Sequence, residues 1–277
     1  MKIGLLWTLV LVFGCSGLEQ SEYEKTRRLN AKGEFIYRHE GEQLYAISTP
    51  EHKIRDKYPW ENTHAGNFPK ITKDFFRCKG SGLNPSRKDE RDPEKKNVLF
   101  DCGGAQKHSL PLKNDKEFVY PILVDLLNYL QEKTGKKVVI TCGYRCPMHN
   151  TYADSSTFNQ VSKHMVGAEV DFFVQGMELK PEEVVRLLIS FYKDSPKYKG
   201  KKDYTEFKRY DKSDTNVSIQ PWYNKEILIK LFPKNEGRDL DNRHPYPYLC
   251  IQVRHDRDTD ERVIYSWPKA FNGYKRY

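Results

Sequence analysis

The sequence predicts an α+β fold with a mostly antiparallel sheet and flanking helices. Two observations carry this. From residue 113 onward, helical and strand periodicities follow one another as helix, strand, strand, helix, helix, hairpin rather than in strict βαβ alternation. The strand-like runs are also short and bounded by Gly, Pro or Asp. The clearest helix is Lys116 to Gly135. Phe118, Val119, Ile122, Leu123, Leu126, Leu127 and Leu130 share one stripe there, and Gly135 ends it. Lys137 to Thr141 reads as a buried strand running into the Gly143-Tyr144-Arg145 turn, and Ala168 to Val174 reads as a second. Pro181 opens another helix, with Val184, Val185, Leu187, Leu188 and Phe191 on its stripe. Ser195 to Asn216 is a basic linker. A short helix is expected over Asn224 to Phe232. Tyr248 to Arg254 and Arg262 to Trp267 are expected to form a final hairpin with an Asp-rich tip. Upstream, Phe35 to Ser48 has the weak alternation of a hairpin. Pro50 to Pro111 is irregular and charge-rich, and is expected to wrap the core rather than form it.

Composition narrows the class. Of 277 residues, 31% are charged and the mean hydropathy is -0.80, which excludes an integral membrane protein beyond one short segment. Aromatic residues make up 13%, too many for a disordered polymer. The net charge of +9 favours anionic surroundings: nucleic acid, anionic lipid or an acidic wall polymer.

The N-terminus bears on which of these applies. Lys2 and the apolar run Ile3 to Phe13 have the form of an export signal, too short to span a bilayer comfortably. Val12-Phe13-Gly14-Cys15 has a small residue directly before Cys, as lipobox sequences do. The expected product is an exported bacterial lipoprotein, acylated at Cys15 and held at the periplasmic face of a membrane or at the cell surface. The alternative is ordinary secretion after a cut at Gly17. The expected organisation is a signal peptide over 1–14, a lipid-anchored tether over 15–34, the irregular region over 35–112 and the main domain over 113–277. Export sets nucleic acid aside as a partner. A monomer is expected. Five further cysteines fit an oxidising compartment, with Cys78 paired to Cys102 and Cys142 to Cys146 as the expected disulfides. This pairing leaves Cys250 free.

The chemistry-bearing stretch is Ser162-Lys163-His164-Met165-Val166-Gly167-Ala168-Glu169-Val170-Asp171. An imidazole at a strand entrance and a carboxylate seven residues on are proper ligands for a tetrahedral zinc. On an alternating strand Glu169 and Asp171 face away from Val170 and Phe172. A carboxylate flanked by such residues is costly to bury unless a cation, a metal or an Arg, offsets it.

These residues resemble a known group: the cell-wall zinc peptidases that include D-Ala-D-Ala carboxypeptidases and penicillin-insensitive murein endopeptidases, fold relatives of the hedgehog signalling domain. Their S-x-H-x-x-G-x-x-x-D motif is matched at Ser162, His164, Gly167 and Asp171. Their G-Y-R-x-P…N element stands here as Gly143-Tyr144-Arg145-Cys146-Pro147…Asn150. The resemblance spans roughly Lys116 to Trp267. It implies a hedgehog-like metallopeptidase fold and a zinc cofactor. It also implies hydrolysis of peptide bonds in peptidoglycan, as endopeptidase or carboxypeptidase. Arg145 would bind the substrate carboxylate or the developing oxyanion; the plainer alternative is an ion pair with Asp171 in a metal-free site. Tyr144 and Ser162 are the substrate-binding candidates, with loop capping as the plainer role for Ser162.

The third motif departs from the family. Where the endopeptidases have H-x-H-V-R, this chain has Cys250-Ile251-Gln252-Val253-Arg254, so Cys250 and Gln252 become the remaining metal-ligand candidates. A buried, inert Cys250 is the alternative. Leu249 stands where carboxypeptidase relatives carry the catalytic Glu, which leaves Glu169 or Asp256 as the proton acceptor. Two functions follow: a zinc peptidase acting on peptidoglycan stem peptides, or a catalytically degenerate relative that binds wall peptide or a partner without cutting.

Overall fold

The computed structural model describes residues 62–94, 96–154, 161–211 and 215–277, together with the helical positions Glu24 and Arg27. The chain divides into two compact units, Met1–Asp56 and Lys57–Tyr277. The expected export signal, Cys15 and the Phe35–Ser48 hairpin lie outside the described residues. No helix among the described residues is long and apolar enough to cross a membrane.

The second unit is α+β, and its main sheet is antiparallel throughout. Its strands, in chain order, are β1 (Val138–Cys142), β2 (Glu169–Val174), β3 (Lys208–Arg209), β4 (Trp222–Tyr223), β5 (Ile227–Phe232) and β6 (Tyr248–Val253). In space they run β1-β2-β6-β5-β4-β3. Helix α1 (Pro121–Thr134) and helix α3 (Pro181–Asp194) pack on each other and on this sheet. A short helix α2 (Pro147–Ala153) follows the turn after β1.

Period-2 alternation assigns the two sheet faces. Val170, Phe172, Val174, Ile227, Ile229, Leu231, Leu249, Ile251 and Val253 join the apolar core with α1 and α3. Glu169, Asp171, Cys250 and Gln252 point the other way, into a cavity. The helices therefore cover one face, and the opposite face is left for the site.

Helix α1 starts later than its periodicity suggests. Leu112–Lys113 and Lys116–Glu117 form a small hairpin, with Asn114 and Asp115 at φ 53° and 58° as a primed two-residue turn requires. Phe118 and Val119 thus precede the helix, and Pro121 fixes its first turn.

The expected short helix over Asn224 to Phe232 is instead strand β5. Ile227, Ile229 and Leu231 alternate with Leu228, Lys230 and Phe232, a two-residue period that pairing with β6 exploits in full. The final hairpin is also differently built. Strand β6 lies between β5 and β2, and a separate two-rung hairpin joins His255–Asp256 to Glu261–Arg262. Trp267 opens a helix, capped by Ser266, rather than ending a strand.

The chain before residue 112 does more than wrap. Ile71, Phe76 and Leu110 are each at most 2% exposed and belong to the core. Asn128 of α1 clasps Ile71 at both backbone groups, each at 2.8 Å. Lys79 reaches from the same region to the Ile140 carbonyl on edge strand β1. Tyr144 N–H donates to the Phe76 carbonyl at 2.6 Å. A Cβ on Gly143 would lie 2.6 Å from Phe76 Cα and 2.7 Å from its carbonyl oxygen, so only glycine permits this crossing.

Replacing Gly143 by alanine is expected to destabilise the fold by roughly 1–3 kcal/mol, the usual cost of overpacking. Chemical denaturation would show a lower midpoint at an unchanged slope. An unaltered midpoint would mean that the crossing can relax.

Candidate active site

Three pieces of chain converge on the cavity, whose volume is about 1290 Å³. The first is the single turn Lys163–Val166. Ser162 caps it, accepting from His164 N–H at 3.2 Å, and Gly167 closes it in the left-handed region at φ 68°. The second is β2, entered directly from Gly167. The third is β6, whose register sets Cys250 opposite Asp171 and Gln252 opposite Glu169. On the far side of β2, a bulge between Ile140 and Cys142 in β1 brings Cys142 opposite Asp171 as well.

His164 is 4% exposed. Its Nδ1–H donates to the Gly143 carbonyl at 2.6 Å, with Cys142 Sγ 3.4 Å from the same nitrogen. That bond fixes the tautomer and turns Nε2 towards Asp171 Oδ2 at 3.5 Å and Glu169 Oε1 at 3.8 Å. Burial opposes a charge on this ring. The surrounding Cys142, Glu169 and Asp171 nevertheless push its pKa well up. Glu169 is fully enclosed, which disfavours its charged form. Nearby His164 and Lys230, with hydrogen bonds from Cys250 and Gln252, hold it down at about 2. An imidazole, two carboxylates and a thiol around one point form an acid-rich group that calls for a cation.

The ligand atoms of Cys142, His164 and Asp171 lie within 4.8 Å of one another, as do those of Glu169, Asp171 and Cys250. Asp171 belongs to both sets. Nitrogen, oxygen and sulfur donors at such separations suit zinc.

The other residues singled out in the sequence take varied places. Ser162 caps the turn and donates to Glu169 Oε2 at 3.1 Å. Gln252 Nε2 donates to Glu169 Oε1 at 2.7 Å, so its amide positions that carboxylate. Cys250 is buried, with Sγ 3.0 Å from the same oxygen. Arg145 lines the cavity but is 2% exposed. Its Nε donates to Asp241 at 2.7 Å and another nitrogen to Asp239. The guanidinium is therefore committed to two aspartates, neither inserted between His164 and Asp171 nor free to meet a substrate. Tyr144 is a correction: at 1% exposed it sits in the core, edge-on to His108 and Tyr274, and does not line the cavity. The disulfides are corrected too. Cys78, Cys102, Cys142, Cys146 and Cys250 are all free thiols. Cys142 faces His164, whereas Cys146 lies in a different cluster.

A buried network that the sequence reading missed backs the site. Asn242, wholly buried, donates to Asp171 Oδ2 at 2.9 Å and accepts from Thr141 Oγ1 at 2.7 Å. Asp239 Oδ1 accepts from the Asn242 backbone at 3.0 Å and side chain at 2.9 Å. His149 Nδ1 meets Asp101 at 2.6 Å, and its Nε2 meets Asp241 at 3.1 Å. The only local signal is the polar run Asp239-Leu240-Asp241-Asn242, which reads as an ordinary loop.

Residues 102–205 match the family model described as Peptidase M15. That segment is similar to the peptidase M15 family. The resemblance to D-Ala-D-Ala carboxypeptidase-like zinc peptidases is thus shown over a little over a third of the chain. The match takes in Arg145, His164, Glu169 and Asp171 and ends before Asn242, Cys250 and Gln252. The comparisons with curated proteins and with solved structures returned no match.

Burial opposes a charge on His149, but Asp101 and Asp241 outweigh it and raise its pKa from 6.5 to about 10. A raised pKa contributes stability that is complete below the unfolded value and is lost as pH climbs through the folded one. The unfolding midpoint should therefore fall as pH is taken from about 6.5 to about 10. His149→Gln should start lower and show a flatter profile in that window. Parallel profiles for the two proteins would refute this assignment.

Proposed function

We propose that this protein is a zinc-dependent hydrolase of peptide bonds in peptidoglycan stem peptides. The observation that carries the reading is the pairing of His164 Nε2 and Asp171 Oδ2, 3.5 Å apart at the cavity wall, each held from behind by a buried hydrogen bond. These two side chains would hold the zinc, with Cys250 the third protein ligand. When bound, zinc supplies a Lewis acid that polarises the scissile carbonyl and acidifies a water. Glu169 is the proton acceptor beside it. Ser162 and Gln252 fix its two oxygens, so it can take a proton from the attacking water and return it to the leaving amine. Arg145 acts at one remove, pinning Asp239 and Asp241 so that Asn242 holds Asp171.

The cavity wall also carries Lys163, Lys225, Lys230, Arg238, Arg254 and Arg262, a cationic lining suited to the carboxylates of stem peptides. On this reading the chain is an exported lipoprotein. Cys15 tethers it to a membrane at its periplasmic face, and it acts as a monomer on the wall. Strand β6 supports a second reading. Gln252 is engaged with Glu169, and Leu249 faces the core, so this strand offers no imidazole and no glutamate to the cavity. A relative that binds wall peptide without cutting it would look the same.

Purified muropeptides separate the two. Cleavage that a chelator abolishes and zinc restores is expected. Glu169→Gln should lose about 10²–10⁴-fold in kcat while still binding metal. His164→Ala should lose metal at this site and turnover together. Wild-type protein that binds muropeptides but releases no product with zinc present would favour the binding reading.

A further inference from the structure

A second set of ligating side chains lies away from the cavity. Cys78, Cys102, His108 and Cys146 are 5%, 4%, 4% and 1% exposed, and none lines the cavity. Their four ligand atoms all lie within 4.8 Å of one another. We propose that these residues form a structural zinc site.

Three observations carry it. The Cys78 and Cys102 sulfurs stand 3.7 Å apart. A disulfide requires about 2.05 Å, whereas two thiolates each about 2.3 Å from a tetrahedral zinc stand about 3.8 Å apart. Next, His108 Nδ1 is tied to the Ser109 carbonyl at 3.0 Å, which leaves Nε2 with its lone pair. That Nε2 is buried and has no hydrogen-bond partner among the described residues. Such an atom is costly unless it is aimed at something, and here it belongs to a group with three sulfurs. Finally, the surroundings leave room and supply donors. His149 N–H points at Cys146 Sγ at 3.4 Å, and Gly80 stands where any Cβ would fall 2.2 Å from Cys102 Sγ. Backbone donors and glycine beside thiolates compensate their charge without crowding them.

Three sulfurs and one imidazole favour a soft, tetrahedral ion, and four protein ligands leave no open position for water. The role is therefore structural rather than catalytic. Binding converts three thiols to thiolates and releases their protons to solvent. Three of the ligands come from the chain before residue 112. The fourth, Cys146, ends the turn that carries the Gly143 carbonyl and Arg145. The ion would thus fasten the irregular region to the segment that orients His164.

The test uses the full-length protein, purified without added metal. Elemental analysis of His164→Ala should still find one zinc per chain. Replacing that zinc with cobalt should give a near-ultraviolet thiolate-to-cobalt band. In His164→Ala/Cys102→Ser both the zinc and the band should be lost. Should that variant fail to fold, alkylation of wild type gives the answer. Cys78, Cys102 and Cys146 should resist reagent until chelator and denaturant are added together, and then label without any reductant. A Cys78–Cys102 disulfide in the native protein overturns the proposal. So does His164→Ala protein that takes up no metal from excess zinc. Because His164→Ala removes only the cavity site, failure of the peptidase reading leaves this test intact.

Discussion

The hydrogen bond from His164 Nδ1 to the Gly143 carbonyl is the contact on which the architecture of the site depends. It belongs to a five-residue turn, Cys142 to Cys146, in which every residue faces a different part of the molecule. Cys142 lies across from Asp171. Gly143 orients the imidazole and lets Phe76 pass. Tyr144 fills the core, Arg145 gathers two aspartates, and Cys146 joins Cys78, Cys102 and His108. Sequence alone suggested that a disulfide would close this turn on itself. The structure instead ties its two ends into separate clusters, so the turn couples them.

Buried charge is the second organising fact. Arg145, His149, His164, Asp101, Asp171, Asp241 and Glu169 are all nearly inaccessible. Ionised groups so placed survive only when each is matched by opposite charge or by donors. Here the matching runs continuously from Asp101 through His149, Asp241, Arg145, Asp239 and Asn242 to Asp171. Loss of one member would leave its neighbours desolvated and unpaired. The expected penalty of such truncations is large, about 3–5 kcal/mol for a buried pair. The same rigidity holds Asp171 and His164 at a fixed separation, and reactive groups need such preorganisation.

How far the residues themselves announced this differs by length scale. Helices α1 and α3 were legible because five apolar side chains repeat on one stripe in each, and Pro181 marks the start of the second. His164 and Asp171 were legible because a seven-residue spacing with an intervening glycine is local. Strand β5 was misread because Ile227–Phe232 is a short apolar run, and its neighbours in space rather than its own composition decide between helix and strand. Asn242, Asp239 and Asp241 were missed because their partners lie 71 to 101 residues away. Cys78, Cys102, His108 and Cys146 escaped for a related reason. Their intervals follow no paired-cysteine spacing, so only folding brings them together.

The sheet's rims have a consequence of their own. One rim is the basic two-residue segment Lys208–Arg209, and the other is β1, where the Lys79 ammonium occupies the Ile140 carbonyl. A lysine laid across an outer strand competes for the acceptor that an incoming β-ribbon would need. Discouraging such self-templating matters most for a chain built around a broad antiparallel ladder. Trimming Lys79 to a short apolar side chain would therefore bare a seam for intermolecular strand addition, and aggregation would be the penalty before any change in the cavity was felt.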